Sequence, residues 1–569
     1  MKLTGIAASK GIAIAKVFEL KHHKINITKE KAEPTGEIKR LQAAIKQAIS
    51  QIEKVKAIAQ ANIDAEHAAV FEAHIQLAND PMINDEVIAL IRQEECNAVY
   101  AMDQVAQKYI ELFSQMDDAY MKERAADIKD VSQKIIFNLL GIEQEDLSQI
   151  NEEVILVALD LTPSETSQLN KQFIKGFATD IGGRTSHSAI IARSLEIPAV
   201  LGLKEITAKV KTGDVLAING TTGEVFINPS AALIKELKAA MALEAQQAAL
   251  WATFKNRPSV TKDGYHFEIA ANIGSPNDVP PVLNATAEAI GLFRSEFLYM
   301  DAADWPTEEQ QFQAYKIVLE QMQGKKVVIR TLDIGGDKNL KYFSFPEEMN
   351  PFLGWRAVRF TLDRKDIFTT QLRALIRASQ FGKLAIMFPM IATVDEFLAA
   401  KALFKQVYQE TKKAYPQVAN DIEVGMMVEI PSAAVLAEQF CQHADFVSIG
   451  TNDLMQYSMA ADRMNEKLAY LYQPLNPAIL KLIKMTIDGA HKHKKWVGMC
   501  GEMAGDPQAL PLLLGLGLDE FSMSASSVLQ IRELASRIDQ KKAAQLVALA
   551  LEAANETAVK DLIAKHKHW

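Results

Sequence analysis

Residues 182–200 of the 569-residue chain read GGRTSHSAIIARSLEIPAV. Gly182 and Gly183 allow tight backbone geometry ahead of a helix. Thr185 and Ser186 are of the types that cap one, and SAIIARSL has the composition of one. His187 then falls near a helix N-terminus, where unpaired N–H groups and the macrodipole favour an anion. A phosphorylated imidazole is such an anion. A lone histidine beside a cap is more often an ordinary surface residue, and it is the flanking sequence that turns the reading of His187 toward a phosphohistidine.

A second group of residues could bind a phosphate and a metal. The segment DFVSIGTNDLMQYSMAADR, residues 445–463, places Asn452 and Asp453 at the end of a strand-like run, with Arg463 downstream. GMMVEIPSAA, residues 425–434, adds Glu429 at the end of another. Two hard carboxylate ligands suit magnesium, which keeps waters and substrate phosphate as its other ligands. A zinc site would require a histidine or thiolate cluster, and none occurs. Arg294, Arg330 and Cys500, the last followed closely by Glu502, also sit within or just after strand-like runs, and Arg356 lies in the loop after the third. One such group is usually an ordinary salt bridge. Their accumulation at strand ends points to a site.

The elements that must position these groups are legible in outline. From about residue 261, strand-like runs alternate with helical segments: FEIAANI, EAIGLF, KVVIRTLDI, LAIMFPMI, EVGMMVEI, FVSIGTND, VGMCGEM and DEFSMS. Eight such units predict a (β/α)8 TIM-type barrel over 261–569, with its chemistry at the C-terminal strand ends. Upstream, short β-rich runs at 1–20 and 144–228 predict one α/β domain carrying His187. Between them, Leu41, Ala44, Ile45, Ile49, Ile52 and Val55 recur at helical spacing and open an inserted helical domain over 21–143. Residues 230–256 lack Gly and Pro and are rich in Ala and Leu, so 229–260 reads as a linker helix.

Composition narrows the setting. Hydrophobic and charged fractions of 49% and 23% are those of a soluble multidomain protein. No apolar run approaches the roughly 20 residues that span a bilayer, and the N-terminus lacks the pattern of a signal peptide. Three scattered cysteines suit a reducing cytoplasm, and a net charge of -9 disfavours nucleic-acid binding.

The motifs together resemble Enzyme I of the phosphoenolpyruvate-dependent sugar phosphotransferase system. The resemblance runs over essentially the whole chain: GIAASKGIAIAK at the start, YMKERAADIKDV (120–131), LTPSETSQL (161–169), the histidine motif, GLFRSEFLYM (291–300), RTLDIGGDK (330–338), NPFLGWRAVRF (350–360), SIGTNDLMQY (448–457), GMCGEMAGD (498–506) and DEFSMS (519–524). Met464 departs from an expected glycine, and Ile430 and Ser432 flank Pro431 where Thr and Ala are familiar.

The resemblance implies a phosphotransferase that takes the phosphoryl group of phosphoenolpyruvate onto His187, passes it to the histidine-containing phosphocarrier protein HPr, and releases pyruvate. It implies phosphoryl binding by Arg294, Arg330, Arg356 and Arg463 with the Asn452–Asp453 backbone, and magnesium on Glu429 and Asp453. It further implies proton donation to the enolate by Cys500, and tautomer fixing of His187 by Thr166. A homodimer through the barrel and carrier docking on the helical domain also follow. Residues 64–95 there hold Asp64, Glu66, Glu72, Asp80, Asp85, Glu86, Glu94 and Glu95 against Arg92, a charge suited to a basic partner. A dikinase or phosphoenolpyruvate synthase would need a nucleotide-binding loop that is lacking, and a carbon–carbon lyase on a similar barrel leaves the His187 domain unexplained.

Overall fold

The computed structural model describes all residues except 22–25, 63–64, 115–118, 143–146, 148–149, 167, 184–185, 196, 301, 337, 339, 341, 464 and 567–569. The chain forms two compact units, Met1–Gln246 and Gln247–Trp569.

The first unit opens with β1 (Lys2–Thr4), β2 (Ile6–Ser9) and β3 (Ile12–Glu19). Five helices follow: α1 (Pro34–Asn62), α2 (Ala65–Ala78), α3 (Pro81–Glu94), α4 (Ala98–Ser114) and α5 (Ala119–Leu140). The chain then returns through β4 (Val154–Ala158), α6 (Pro163–Thr166), β5 (Ile174–Thr179), α7 (His187–Ser194), β6 (Ala199–Leu201), α8 (Ile206–Lys209), β7 (Val215–Asn219) and β8 (Glu224–Ile227). The strands make one mixed sheet in the order β1-β8-β7-β3-β4-β5-β6-β2. β4 is buried throughout because it lies inside this sheet and feeds both faces: Val154, Leu156 and Ala158 join one core cluster, Ile155 and Val157 the other. That is why it reads as an unbroken apolar run rather than an alternation. The helices close on a separate core in which Leu41, Ala44, Ile45, Ala48, Ile52 and Val55 of α1 are buried and Ile49 is partly so. Asp80 starts α3 by accepting a hydrogen bond from the Met82 N–H at 2.8 Å, with Pro81 in the first helical turn. The exposed α9 (Ala231–Ala252) runs across the division between the units and buries Leu237.

The second unit is a closed barrel of eight parallel strands: β9 (Glu268–Ile273), β10 (Ala289–Arg294), β11 (Val327–Arg330), β12 (Leu384–Phe388), β13 (Glu423–Val428), β14 (Phe446–Ile449), β15 (Trp496–Met499) and β16 (Glu520–Met523). Each overlaps one of the runs read from the sequence, β10 reaching one residue past its run to Arg294 and β15 starting one residue before its run at Trp496, and β16 pairs back onto β9. Leu292, Val328, Ala385, Met387, Met427 and Phe446 cluster together with Cys500. Gly291 and Gly498 make room for the Glu520 side chain. A Cβ on them would lie 2.4 and 2.9 Å from its Oε1.

Arg532 pins the start of the barrel. It is buried, and it donates to the Thr286 carbonyl at 2.7 Å and the Thr286 hydroxyl at 2.8 Å. Thr286 has a φ of 56°, a left-handed conformation that costs a β-branched residue energy, so the arginine both satisfies and holds a strained turn. Arg532→Met should cost about 3 kcal/mol, the loss expected when buried hydrogen bonds to a charged group go unmade. Thermal unfolding that leaves this variant as stable as the parent would refute that role.

Candidate active site

The histidine locus lies at the first turn of α7. Ser186 is the N-cap (φ −65°, ψ 153°), with its hydroxyl accepting from the Ala189 N–H at 3.3 Å and donating to the Gly183 carbonyl at 2.8 Å. Gly182 has a φ of 121°, so the backbone entering the cap requires glycine there. Thr185 lies outside the described residues, as does the side chain of His187, whose backbone begins the helix. Thr166, on the neighbouring α6, is fully buried, and its hydroxyl donates to the Thr162 carbonyl at 3.1 Å. The Ser164 hydroxyl ties α6 to α5 through Asp130 at 2.7 Å.

The second locus is the C-terminal mouth of the barrel, where most of the remaining sequence candidates come together. Arg330 ends β11 and is buried. Its guanidinium meets Glu296 at 2.5 Å and Asp333 at 3.0 Å. Arg356, also buried, reaches Asp333 at 3.0 Å, Asp453 at 3.6 Å and the Tyr457 hydroxyl at 3.3 Å. Lys338 closes the network, 3.1 Å from Glu296 and 3.0 Å from Asp333.

Glu296, Asp333 and Lys338 were not singled out from the sequence, although they lie inside the GLFRSEFLYM and RTLDIGGDK segments. An acidic residue two or three positions from a strand-end arginine was the available signal. The loop that carries Asp333 and Arg356 is fixed by aromatic packing: Trp355 and Phe345 meet Phe360 at 4.8 and 5.3 Å between ring centroids. At Gly335, φ is 102° and a Cβ would lie 2.7 Å from that of Arg356.

Glu429 follows β13, is buried, and accepts from the Met390 N–H at 2.6 Å. Asn452 and Asp453 fall in the first turn of the helix Thr451–Met459 rather than on β14 itself, because Gly450 ends the strand run as that helix's N-cap. The Asn452 amide oxygen accepts from the Glu502 N–H at 3.2 Å. Arg294 and Arg463 stand exposed at the rim, Arg294 over the Phe297 ring at 5.1 Å. Ser432 donates to the Ala392 carbonyl at 2.9 Å, which gives this departure a local function, and Met464 lies outside the described residues. Cys500 comes directly after β15, with its N–H donating to the Ile449 carbonyl at 3.1 Å.

Electrostatics divides these groups. Burial opposes charge on Asp333, but Lys338, Arg330 and Arg356 overcome it and hold the carboxyl well below the usual range. Burial, reinforced by Asp453 and Asp333, pushes Glu429 up to about 8. Burial likewise pushes the Cys500 thiol up to about 12. Buried polar atoms are left without partners at the mouth: Glu296 Oε2, Arg330 Nε, Arg356 Nε and Thr451 Oγ1. Such atoms are rare in native proteins unless a ligand, ion or water answers them. Glu429 and Asp453, whose charges oppose each other, are hard oxygen donors of the kind magnesium takes from a protein.

Three segments match family descriptions of phosphoenolpyruvate-utilising enzymes: the N-terminal domain at 4–124, the mobile domain at 150–223 and the phosphoenolpyruvate-binding domain at 248–540. The chain is 55% identical to a phosphoenolpyruvate-protein phosphotransferase of Mycoplasma capricolum subsp. capricolum, over 99% of this chain and 98% of that protein. It is 53% identical to the one of Bacillus subtilis, over 95% of each. A solution structure of Enzyme I shares 42% identity, covering 43% of this chain and 99% of that structure, at a TM-score of 0.40.

The Asp333 carboxylate is the common counter-ion of Arg330, Lys338 and Arg356. Removing it leaves buried cations short of an anion, so Asp333→Ala should cost about 3–5 kcal/mol of stability. A denaturation midpoint unchanged from the parent would show that Glu296 and Asp453 carry the network without it.

Proposed function

The chain belongs to the family of phosphoenolpyruvate-utilising enzymes, and from that premise we infer that it is a phosphoenolpyruvate-protein phosphotransferase which phosphorylates its own His187 and then a histidine of HPr. The observation that carries this reading is the barrel mouth, where the buried Arg330 and Arg356 keep unpartnered Nε groups in the neighbourhood of Glu429, Asp453 and Cys500.

Phosphoenolpyruvate brings a phosphate and a carboxylate. Arg294 and Arg330 offer forked donors to the phosphoryl oxygens, and Arg356, Arg463 and the backbone around Asn452 and Asp453 complete the cradle. Glu429 and Asp453 would hold magnesium, which when bound neutralises charge on the phosphoryl oxygens. A ring nitrogen of His187 attacks phosphorus in line; the new N–P bond forms as the bond to the enol oxygen breaks. Positioning and electrostatics suffice for such a transfer. The departing enolate then takes a proton at its methylene carbon from the Cys500 thiol, which stays protonated at neutral pH because burial holds it near 12. Pyruvate leaves, and the thiolate regains its proton from solvent. Thr166 orients the His187 ring through its other nitrogen.

His187 and the barrel mouth belong to different units, and in this reading the ring serves the phosphoenolpyruvate site and HPr in turn. HPr docks on the helical segment 21–143, steered by its acidic face. That face is less bare than its sequence: Glu72 pairs with Lys56, Glu86 with Lys108 at 2.5 Å, Glu94 with Lys29 at 2.9 Å and Glu95 with Lys31 at 3.0 Å, while Asp80 caps α3. Asp85 is exposed, Asp64 lies outside the described residues, and so does the side chain of Glu66. The reading includes a homodimer through the barrel and a cytoplasmic setting; no helix among the described residues is long and apolar enough to cross a membrane.

Labelled phosphoenolpyruvate with magnesium should give an acid-labile, base-stable label that disappears in His187→Ala, while that variant still binds phosphoenolpyruvate. Retention of the label would sink the assignment of His187. Asp85→Lys combined with Glu72→Lys should slow phosphoryl transfer to HPr at low salt, with a smaller difference at high salt, and leave self-phosphorylation intact. Equal transfer rates at low salt would count against docking on this face.

A further inference from the structure

Cys500 sits one residue beyond the end of β15, where the sheet no longer holds it. The β15–β16 pairing ends at Met499↔Phe521, so the Cys500 carbonyl has no ladder partner on that side. Its N–H is tied to the β14 side, through the Ile449 carbonyl at 3.1 Å. What meets the carbonyl is a side chain from two strands away. Asn272, on β9, donates from Nδ2 to the Cys500 carbonyl at 3.0 Å and to the Ser522 carbonyl at 3.3 Å. The Ser522 hydroxyl donates to Asn272 Oδ1 at 2.6 Å.

The orientation of this amide is forced. Two backbone carbonyls can only accept, so Nδ2 must face them, and the remaining oxygen must face the hydroxyl. Reversing the amide would set its oxygen against two carbonyl oxygens. Asn272 therefore bridges β15 and β16 across the point where their own hydrogen bonding stops. Space is tight beside it, since a Cβ on Gly291 would lie 2.6 Å from both Cβ and Oγ of Ser522.

We propose that Asn272, held by Ser522, is a positioning residue that fixes the Cys500 peptide so that its thiol addresses the enolate carbon. The inference rests on the reading of Cys500 as the proton donor. The hydrogen bonds of Asn272 run to the Cys500 carbonyl and to Ser522 rather than to the arginines assigned to the phosphoryl oxygens, so its effect falls on the proton-transfer step and not on substrate capture. Misplacement of a reacting group by about 1 Å can cost on the order of 10²-fold in rate, and a peptide released from its clamp can shift by that much.

The test uses the full-length protein with magnesium, measuring turnover with HPr, the KM for phosphoenolpyruvate, and exchange of pyruvate methyl protons with deuterated water followed by proton NMR. Cys500→Ala serves as the reference and should lose exchange. Asn272→Leu should keep KM within about twofold while turnover and methyl exchange fall together by roughly 10- to 100-fold. Ser522→Ala removes one hydroxyl, should give a smaller loss in the same two quantities, and carries the test should the leucine variant fail to fold. Transfer between HPr and His187, which does not involve the barrel thiol, should be unaffected in each. Parent-like turnover and exchange in the foldable variants would overturn the positioning role, as would a loss expressed in KM alone. Undiminished exchange in Cys500→Ala is a separate result: it would remove the thiol as donor and this inference with it.

Discussion

A guanidinium taken out of water must keep anions beside it, and the barrel mouth is organised around that constraint. Arg330 and Arg356 are exposed by only 5% and 2%. An unpaired charge at such depth would cost several kcal/mol. Asp333 answers both, Glu296 shares Arg330, and Lys338 joins the two carboxylates. Glu296 comes from the turn after β10, whereas Asp333 and Arg356 share the loop after β11, whose Phe345 and Trp355 pack on Phe360. The network is also incomplete by itself: Arg330 Nε, Arg356 Nε and Glu296 Oε2 remain unpartnered. Cations held in place before a substrate arrives need no reorganisation when negative charge develops, which is where their catalytic value lies.

The same burial acts in the opposite sense on acids. It lifts Glu429 to about 8 and the Cys500 thiol to about 12, whereas Asp333, equally buried, stays ionised because three cations surround it. Acids at one barrel mouth are therefore shifted in opposite directions by their neighbours. Asp333 is a fixed counter-charge, while Glu429 and the Cys500 thiol hold their protons more tightly than free groups do. The arrangement separates permanent structure from chemistry without separating them in space.

How much of this could be read from the chain follows from the range of each interaction. Strands of a parallel barrel are covered on both sides, so they appear as compact apolar runs, and all eight were legible. Groups at strand ends were legible too, since a barrel keeps its chemistry there. Asp453 was displaced from strand end to helix turn by the Gly450 cap, a shift of a few residues that leaves it at the same rim. Pairing was not legible. Nothing in RTLDIGGDK says that Asp333 will meet Arg356, because that contact depends on a loop closing over a barrel. The lysines that answer Glu72 and Glu86 come from other helices, so counting charges in one window overstated the bare acidity of the face. Asn272 was equally hidden, since a strand asparagine reveals its partners only when the barrel closes.

Closure also explains why polar groups are tolerated inside the barrel. Glu520, at the opposite end of the strands from the mouth, is lifted to about 8 chiefly by burial and then by Glu268, with Lys326 pulling the other way. It fits only because Gly291 and Gly498 leave space beside it. Between the floor and the mouth lie Leu292, Val328, Met387 and Met427, which exclude water and so keep the local dielectric low. In such a medium Glu520 still reaches Cys500, and it and Glu429 both raise the thiol against the lowering influence of Arg330. Burial among the side chains that plug the middle of the barrel is thus the chief reason the Cys500 thiol is raised, with Ser448 and Arg330 opposing it and the two glutamates adding to it.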